Sequence, residues 1–199
     1  MSNKDGWPPK EWNSILIEVG KIVFNWNTLE RTISQLLYTL VGDGDNVKIL
    51  VAQLGNRTVT DSIKTFANEF FEGKEREHLL HLVELFDILR GYRNYYIHSF
   101  NGVSVQFVNV NTHSGPVTAV DTANPLANFS SLRVKKKLEE HKEVKRVEDI
   151  KPIALLLKDA NTYCAKVFLH FKYPDKHKLP DSKFKLPKRV EVKFNPINI

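Results

Sequence analysis

Between Trp12 and Leu40 the apolar residues Ile15, Val19, Ile22, Trp26, Leu29, Ile33, Leu36 and Leu40 follow one another in steps of four and three, strictly alternating. That rhythm belongs to an α-helix with one face pressed on other helices. A seam of eight positions is too long to bury alone, so the rest of the chain must supply helical partners. With 199 residues there is room for one domain of ordinary size.

The partners can be read in order. Gly42 and the run "DGD" end the first helix. A short helix is expected over Asp45–Leu54, with Asp45 as N-cap and Gly55 as stop. Another should start near Thr58 or Thr60, carry Ile63, Phe66, Phe70 and Phe71, and close at Gly73. A long helix over roughly Glu75–Phe100 has the seam Leu79, Leu82, Phe86, Leu89, Arg93, Ile97 and Phe100. After Asn101-Gly102 the period falls to two. "VSVQFVNV" and "GPVTAV" read as a hairpin turning at "NTHSG". "SSLRVKKKLEEHKEVKRV" reads either as a solvated helix or, preferably, as two charged strands turning near Glu140-His141. A last helix should begin at Asp149, with Pro152 in its first turn and the stripe Ile153, Leu156, Leu157, Ala160, Cys164, Val167, Phe168 and Phe171. The expected fold class is mainly α: an antiparallel four- to five-helix bundle with a small antiparallel β insertion, about 103–147, before the last helix. Residues 1–171 would form this single domain, and 172–199 an extended basic Pro/Lys-rich tail.

Charge is concentrated in that tail. Its eight Lys/Arg against three Asp/Glu hold five of the six net positive charges, so the body is nearly neutral. Such a tail attracts an anionic partner such as RNA, or is simply a solvated and partly disordered end. The single cysteine, Cys164, excludes an internal disulfide framework and a four-cysteine zinc site. "ILIEVGKIVF" is too short and too charged to span a membrane, and no signal core precedes it. A cytoplasmic protein without membrane contact is expected.

The stretch "LRGYRNYYIH", Leu89–His98, interrupts this plain helical pattern with two arginines, an asparagine and a histidine. On an α-helix Arg90, Asn94 and His98 share one stripe, while Arg93 sits on the apolar seam. Arg93 and His98, five residues apart, would point about 140° away from each other. They can meet only through the length of the arginine side chain or across a second copy of the helix. Gly91 between them would suit a close backbone approach. An arginine on a seam must be paired or reach water, and Glu30, next to Leu29, is its candidate partner. On that reading the pair holds two helices in register and His98 is a satisfied near-core histidine.

The run "RNYYIH" resembles the signature of the HEPN superfamily (higher eukaryotes and prokaryotes nucleotide-binding). That signature is an arginine, then a polar residue, then a histidine four to six positions on. The resemblance covers roughly 11–100 and 149–171. It implies an all-α bundle, a homodimer with two motifs facing across the two-fold axis, and in many members a metal-independent endoribonuclease with no cofactor. Arg93 and His98 would be catalytic with Asn94 assisting, and Glu30, Arg90, Tyr95 and Tyr96 supporting. Histidine suits proton transfer near neutrality, and the arginine fork suits phosphate oxygens. The products would carry a 2′,3′-cyclic phosphate and a 5′-hydroxyl. The resemblance also implies a toxin or defence nuclease, with RNA as substrate and a protein antitoxin or inhibitor as partner. The alternative it leaves is a non-catalytic module binding nucleic acid, nucleotide or protein. Tyr92, Tyr95 and Tyr96 could stack on bases or pack in the fold.

Other constellations carry less. His78, His81 and Glu84 stand at three-residue steps without zincin spacing and read as solvated side chains rather than metal ligands. Cys164 lies on an apolar stripe and reads as core. "RVKKKLEEHKEVKR" is a second basic run, either an RNA path or an exposed face.

Overall fold

The computed structural model describes residues 10–42, 44–112, 115–134, 138–193 and 195–196. The long seam forms α1, Lys10–Val41, and buries Ile15, Ile22, Trp26, Leu29, Ile33 and Leu36. It ends at Gly42, whose φ of 104° suits a residue without Cβ and whose N–H returns to the Tyr38 carbonyl. Then come α2 (Asp45–Ala52), α3 (Asn56–Phe70), α4 (Gly73–Arg93), a π turn (Asn94–His98), β1 (Phe100–Thr112), β2 (Gly115–Val134), β3 (Leu138–Lys145), α5 (Val147–Lys172) and β4 (Asn195–Pro196). The chain is thus mainly helical, with a small antiparallel sheet inserted before the last helix. Among the described residues no helix is long and apolar enough to cross a membrane.

Several expectations need correction. Gly44, not Asp45, is the N-cap of α2; Asp45 sits in the first turn and pairs with Lys48. α3 begins at Asn56 and turns Val59, Thr60, Ile63 and Ala67 inward, while Phe70 is 70% exposed. Thr60 can lie in the core because its hydroxyl bonds the Asn56 and Arg57 carbonyls. α4 stops at Arg93, and Phe100 opens a strand. The charged run 130–147 is strand over most of its described residues, and Val134 pairs with Leu138 and Ser131 with His141, so the strands do not turn near Glu140-His141. The turn residues of "NTHSG" at 113–114 lie outside the described residues, as do residues 1–9 at the N-terminus. α5 starts at Val147, two residues early, because Asp149 Oδ2 accepts the Arg146 N–H at 3.0 Å and caps it there.

The described chain groups into two compact units, Met1–Val23 with Arg93–Ala154 and Glu191–Ile199, and Phe24–Tyr92 with Leu155–Val190. The second is the helical bundle. Trp26 packs on Phe86 with ring centroids 4.9 Å apart, and Asn161 donates to the Asn25 carbonyl, so α4 and α5 both flank α1. α4 and α5 run antiparallel: Glu75 meets His170 and His78 meets Tyr163. The basic segment after α5 is extended apart from one turn, and α4 fastens it. His81 Nε2 donates to the Phe184 carbonyl (2.6 Å), the Tyr92 hydroxyl to that of Lys188 (2.7 Å), and Lys183 pairs with Glu77 (2.8 Å). The basic stretch, for which a solvated and partly disordered end was one of two readings, is held through its own carbonyls at Phe184 and Lys188.

The first unit carries the π turn and the sheet, ordered β1-β2-β3-β4 and antiparallel throughout. β1 meets β2 with Phe100 opposite Phe129 and Gly102 opposite Asn128, which leaves Asn101 as an extra residue in a bulge. Gly102 takes φ 138°, a conformation that disfavours side chains.

Candidate functional site

Arg93, Asn94 and His98 all fall in the first unit, on the turn where α4 changes its winding. Tyr95 and Tyr96 are neighbours in sequence, yet both rings are buried on one residue of β2. Phe129 stacks on Tyr95 at 5.4 Å and meets Tyr96 edge-on at 5.4 Å. An α-turn would separate the two tyrosines by about 100°. The chain instead takes one π turn, with bonding wider by one residue.

The wider turn brings the motif together. Residues five apart diverge on an α-helix but come into near register where bonding runs from i to i+5. Arg93 Nη1 lies 2.6 Å from His98 Nε2 and 3.0 Å from Asn94 Oδ1. The expected divergence of about 140° is therefore removed by the backbone, without a second copy of the helix. Arginine has only donors, so the contact to His98 requires an unprotonated Nε2 and leaves the imidazole proton on Nδ1. His98 and Asn94 are exposed and Arg93 is half-buried. His98 is not the near-core histidine that a purely structural motif would require.

The supporting residues take separate places. Arg90 is half-buried and pairs with Asp87 at 3.1 Å. The half-buried Glu30 accepts a hydrogen bond from the Asn56 side-chain amide. Among the described residues a Cβ on Gly91 would meet nothing within 4 Å, so no backbone there demands glycine. The Tyr95 and Tyr96 rings are covered and offer no open face to a base.

Tyr95 also belongs to a polar network that the sequence reading missed. Its hydroxyl donates to Glu143, which also receives Lys145 Nζ at 2.7 Å. Lys145 lies over both tyrosine rings, at 5.6 and 5.9 Å. The buried His141 sits 3.3 Å from the Tyr95 hydroxyl and donates from Nδ1 to the Lys193 carbonyl at 2.7 Å. Burial, reinforced by Glu143, pushes the Tyr95 hydroxyl well above its usual range, so it stays a donor. Burial alone would raise the Glu143 carboxyl, but the hydrogen bonds from Lys145 and Tyr95 outweigh it and hold the group low. The network braces the π turn from behind.

In the bundle, His78 is buried rather than solvated. Its Nδ1 is hydrogen-bonded to the Tyr163 hydroxyl at 2.9 Å. Among the described residues no three His, Cys, Asp or Glu are grouped to hold a metal ion. Cys164 is fully buried and its thiol is pushed up to about 12 by that burial. Burial, with Lys183 adding to it, pulls His78 below its ordinary 6.5. The unfolded chain takes up that proton near pH 6.5 and the folded chain only at lower pH. In that window the unfolded state holds more protons, so stability falls as pH drops below about 6.5. The urea midpoint should therefore fall between pH 7 and pH 5, and His78→Asn should flatten that part of the slope. An unchanged slope in the variant would contradict the assignment.

Comparison with known proteins finds no matching family model, no matching curated protein and no matching solved structure.

Proposed function

We propose that the protein is a metal-independent endoribonuclease of HEPN type that works as a homodimer. The observation that supports this most is the contact of Arg93 Nη1 with His98 Nε2 on an exposed turn. Cleavage of RNA by its own 2′-hydroxyl needs a base for the hydroxyl proton and a cation for the charge that builds on the phosphate oxygens. His98 supplies the first and Arg93 the second. A phosphate is a stronger acceptor for the guanidinium than an imidazole. When it enters, Nη1 turns to a phosphate oxygen and Nε2 is left to take the 2′-proton. The 2′-oxygen bonds to phosphorus and the bond from phosphorus to the 5′-oxygen breaks. The 5′-oxygen leaves with the proton that His98 has just taken, handed on from its imidazolium. Asn94 Oδ1 holds Nη1 from the other side and fixes the plane of the fork.

The test is incubation of the purified chain with RNA in EDTA, followed by analysis of the ends. Wild type should release 2′,3′-cyclic phosphate and 5′-hydroxyl ends. Equal cleavage by folded His98→Ala would contradict the proposal. Folded wild type that binds RNA and never cuts it would favour the non-catalytic binding module instead.

A further inference from the structure

The π turn runs directly into the bulge of β1. The Ser99 carbonyl, one residue past His98, accepts the Ser130 N–H at 2.7 Å. A cleft of about 340 Å³ opens beside this junction, lined by Asn101, Asn128, Phe129, Ser130, Lys142, Glu143 and Val144. That volume lies in the range of small-ligand pockets. Strand alternation gives the cleft its chemistry. Phe129 and Glu143 are paired in register and face the tyrosines, and both Glu143 oxygens are engaged there by Tyr95 and Lys145. Asn128 and Ser130, with Val144 and Lys142 opposite them, share the other face.

The bulge adds Asn101 to that outer face, where its amide donates to Ser130 Oγ. Asn128 Oδ1 accepts from Ser104 Oγ at 3.3 Å and keeps a second lone pair, and its amide N–H₂ has no partner among the described residues. The cleft thus presents a side-chain amide with both a donor and an acceptor to spare. The exposed Val144 forms an apolar wall and the exposed Lys142 brings positive charge. Asn101 follows His98 by three residues, at most about 10 Å of chain.

We infer that this cleft holds the base of a nucleotide beside the cut phosphate, that the base is adenine, and that Asn128 reads it. The inference rests on the ribonuclease reading for its place next to a cut, but the base contact stands by itself. An asparagine amide matches the adjacent donor and acceptor of adenine, N6–H₂ and N7. Guanine shows two acceptors, N7 and O6, on the edge where adenine shows one acceptor and one donor, so the Asn128 oxygen would find no donor there. Unstacked single-stranded bases are the ones proteins read in this way.

The probes are 2′-O-methyl hexanucleotides, which lack the attacking hydroxyl and cannot be cut, each with one variable base in a constant context. Binding to the full chain is followed by fluorescence anisotropy. The adenine probe should bind about ten-fold more tightly than the guanine, cytosine or uracil probes. His98→Ala should keep that preference and Asn128→Ala should lose it. Asn101→Ala removes an exposed side chain and should weaken the adenine probe selectively, so the test survives if Asn128→Ala does not fold. Equal binding of all four probes, or a preference that persists without Asn128 or Asn101, would overturn the inference. Cleavage of RNA without base preference would sink the adenine site alone. An adenine preference without any cleavage would sink the ribonuclease reading alone.

Discussion

On the proposed ribonuclease reading, His98→Ala should lower metal-free RNA cleavage by about 10²- to 10⁴-fold, the range that general acid–base groups supply. The fold should not notice the change. His98 is exposed and its bond is to Arg93, and surface substitutions of that kind shift stability by about 0.5 kcal/mol or less. Arg93→Lys should behave almost as severely, with a loss of about 10²- to 10³-fold. A lysine keeps the charge but offers a point in place of a planar fork, so the fixed geometry between Asn94 and a phosphate oxygen is lost. The comparison is made with single-turnover cleavage rates and with urea midpoints of the same preparations. A His98→Ala protein that loses its fold along with its activity would return the motif to a structural role.

Phe129→Ala has the largest expected effect on stability. The ring is 1% exposed and touches Tyr95, Tyr96 and Phe100 with centroids between 5.4 and 5.7 Å. Emptying such a site costs about 3–5 kcal/mol. In a chain of this length that is a drop in Tm of about 6–20 °C. The consequence reaches the motif, because both buried tyrosines of the π turn lean on this ring. Cleavage should fall with stability even though Phe129 supplies no group to the reaction. Phe129→Leu fills most of the volume and should recover a large part of both. A loss below about 1 kcal/mol in Phe129→Ala would mean that the turn is held by something other than this ring.

The parts of the fold that follow a local period were legible. The α1 seam, the α5 stripe and the change to period two after Gly102 each depend on residues a few positions apart. α3 misled the reading because its aromatics look like core. Phe66 and Phe70 pack on each other with tilted rings at 5.3 Å, while a threonine and an alanine face inward. The buried state of His78 was hidden because its partner, Tyr163, stands on another helix 85 residues away. The tail escaped for a related reason. Its anchors are its own carbonyls, accepting from His81, Tyr92 and, beyond the bundle segment, His141. A sequence shows side chains, and backbone acceptors look the same everywhere.

The sequence shows that Arg93, Asn94 and His98 stand on one short stretch, but it does not show that Arg93 meets the other two. Extending a 3.6-residue period through Asn94–His98 gave a geometric conflict and two ways around it. The structure takes a third, a single π turn, which is set by Phe129 more than thirty residues downstream. The cleft beside it was equally out of reach, since Asn101 and Asn128 come together only once the strands pair.

The central claim is that Arg93 and His98 act as one catalytic unit on that turn. The most direct measurement is a double-mutant cycle of metal-free cleavage rates: wild type, His98→Ala, Arg93→Lys and the double variant, all checked for folding. Residues that act as a unit are not additive. The double variant should therefore be no slower than the worse of the two single variants. Losses that multiply would show two independent roles, and four equal rates would show that the cleavage does not belong to this site at all.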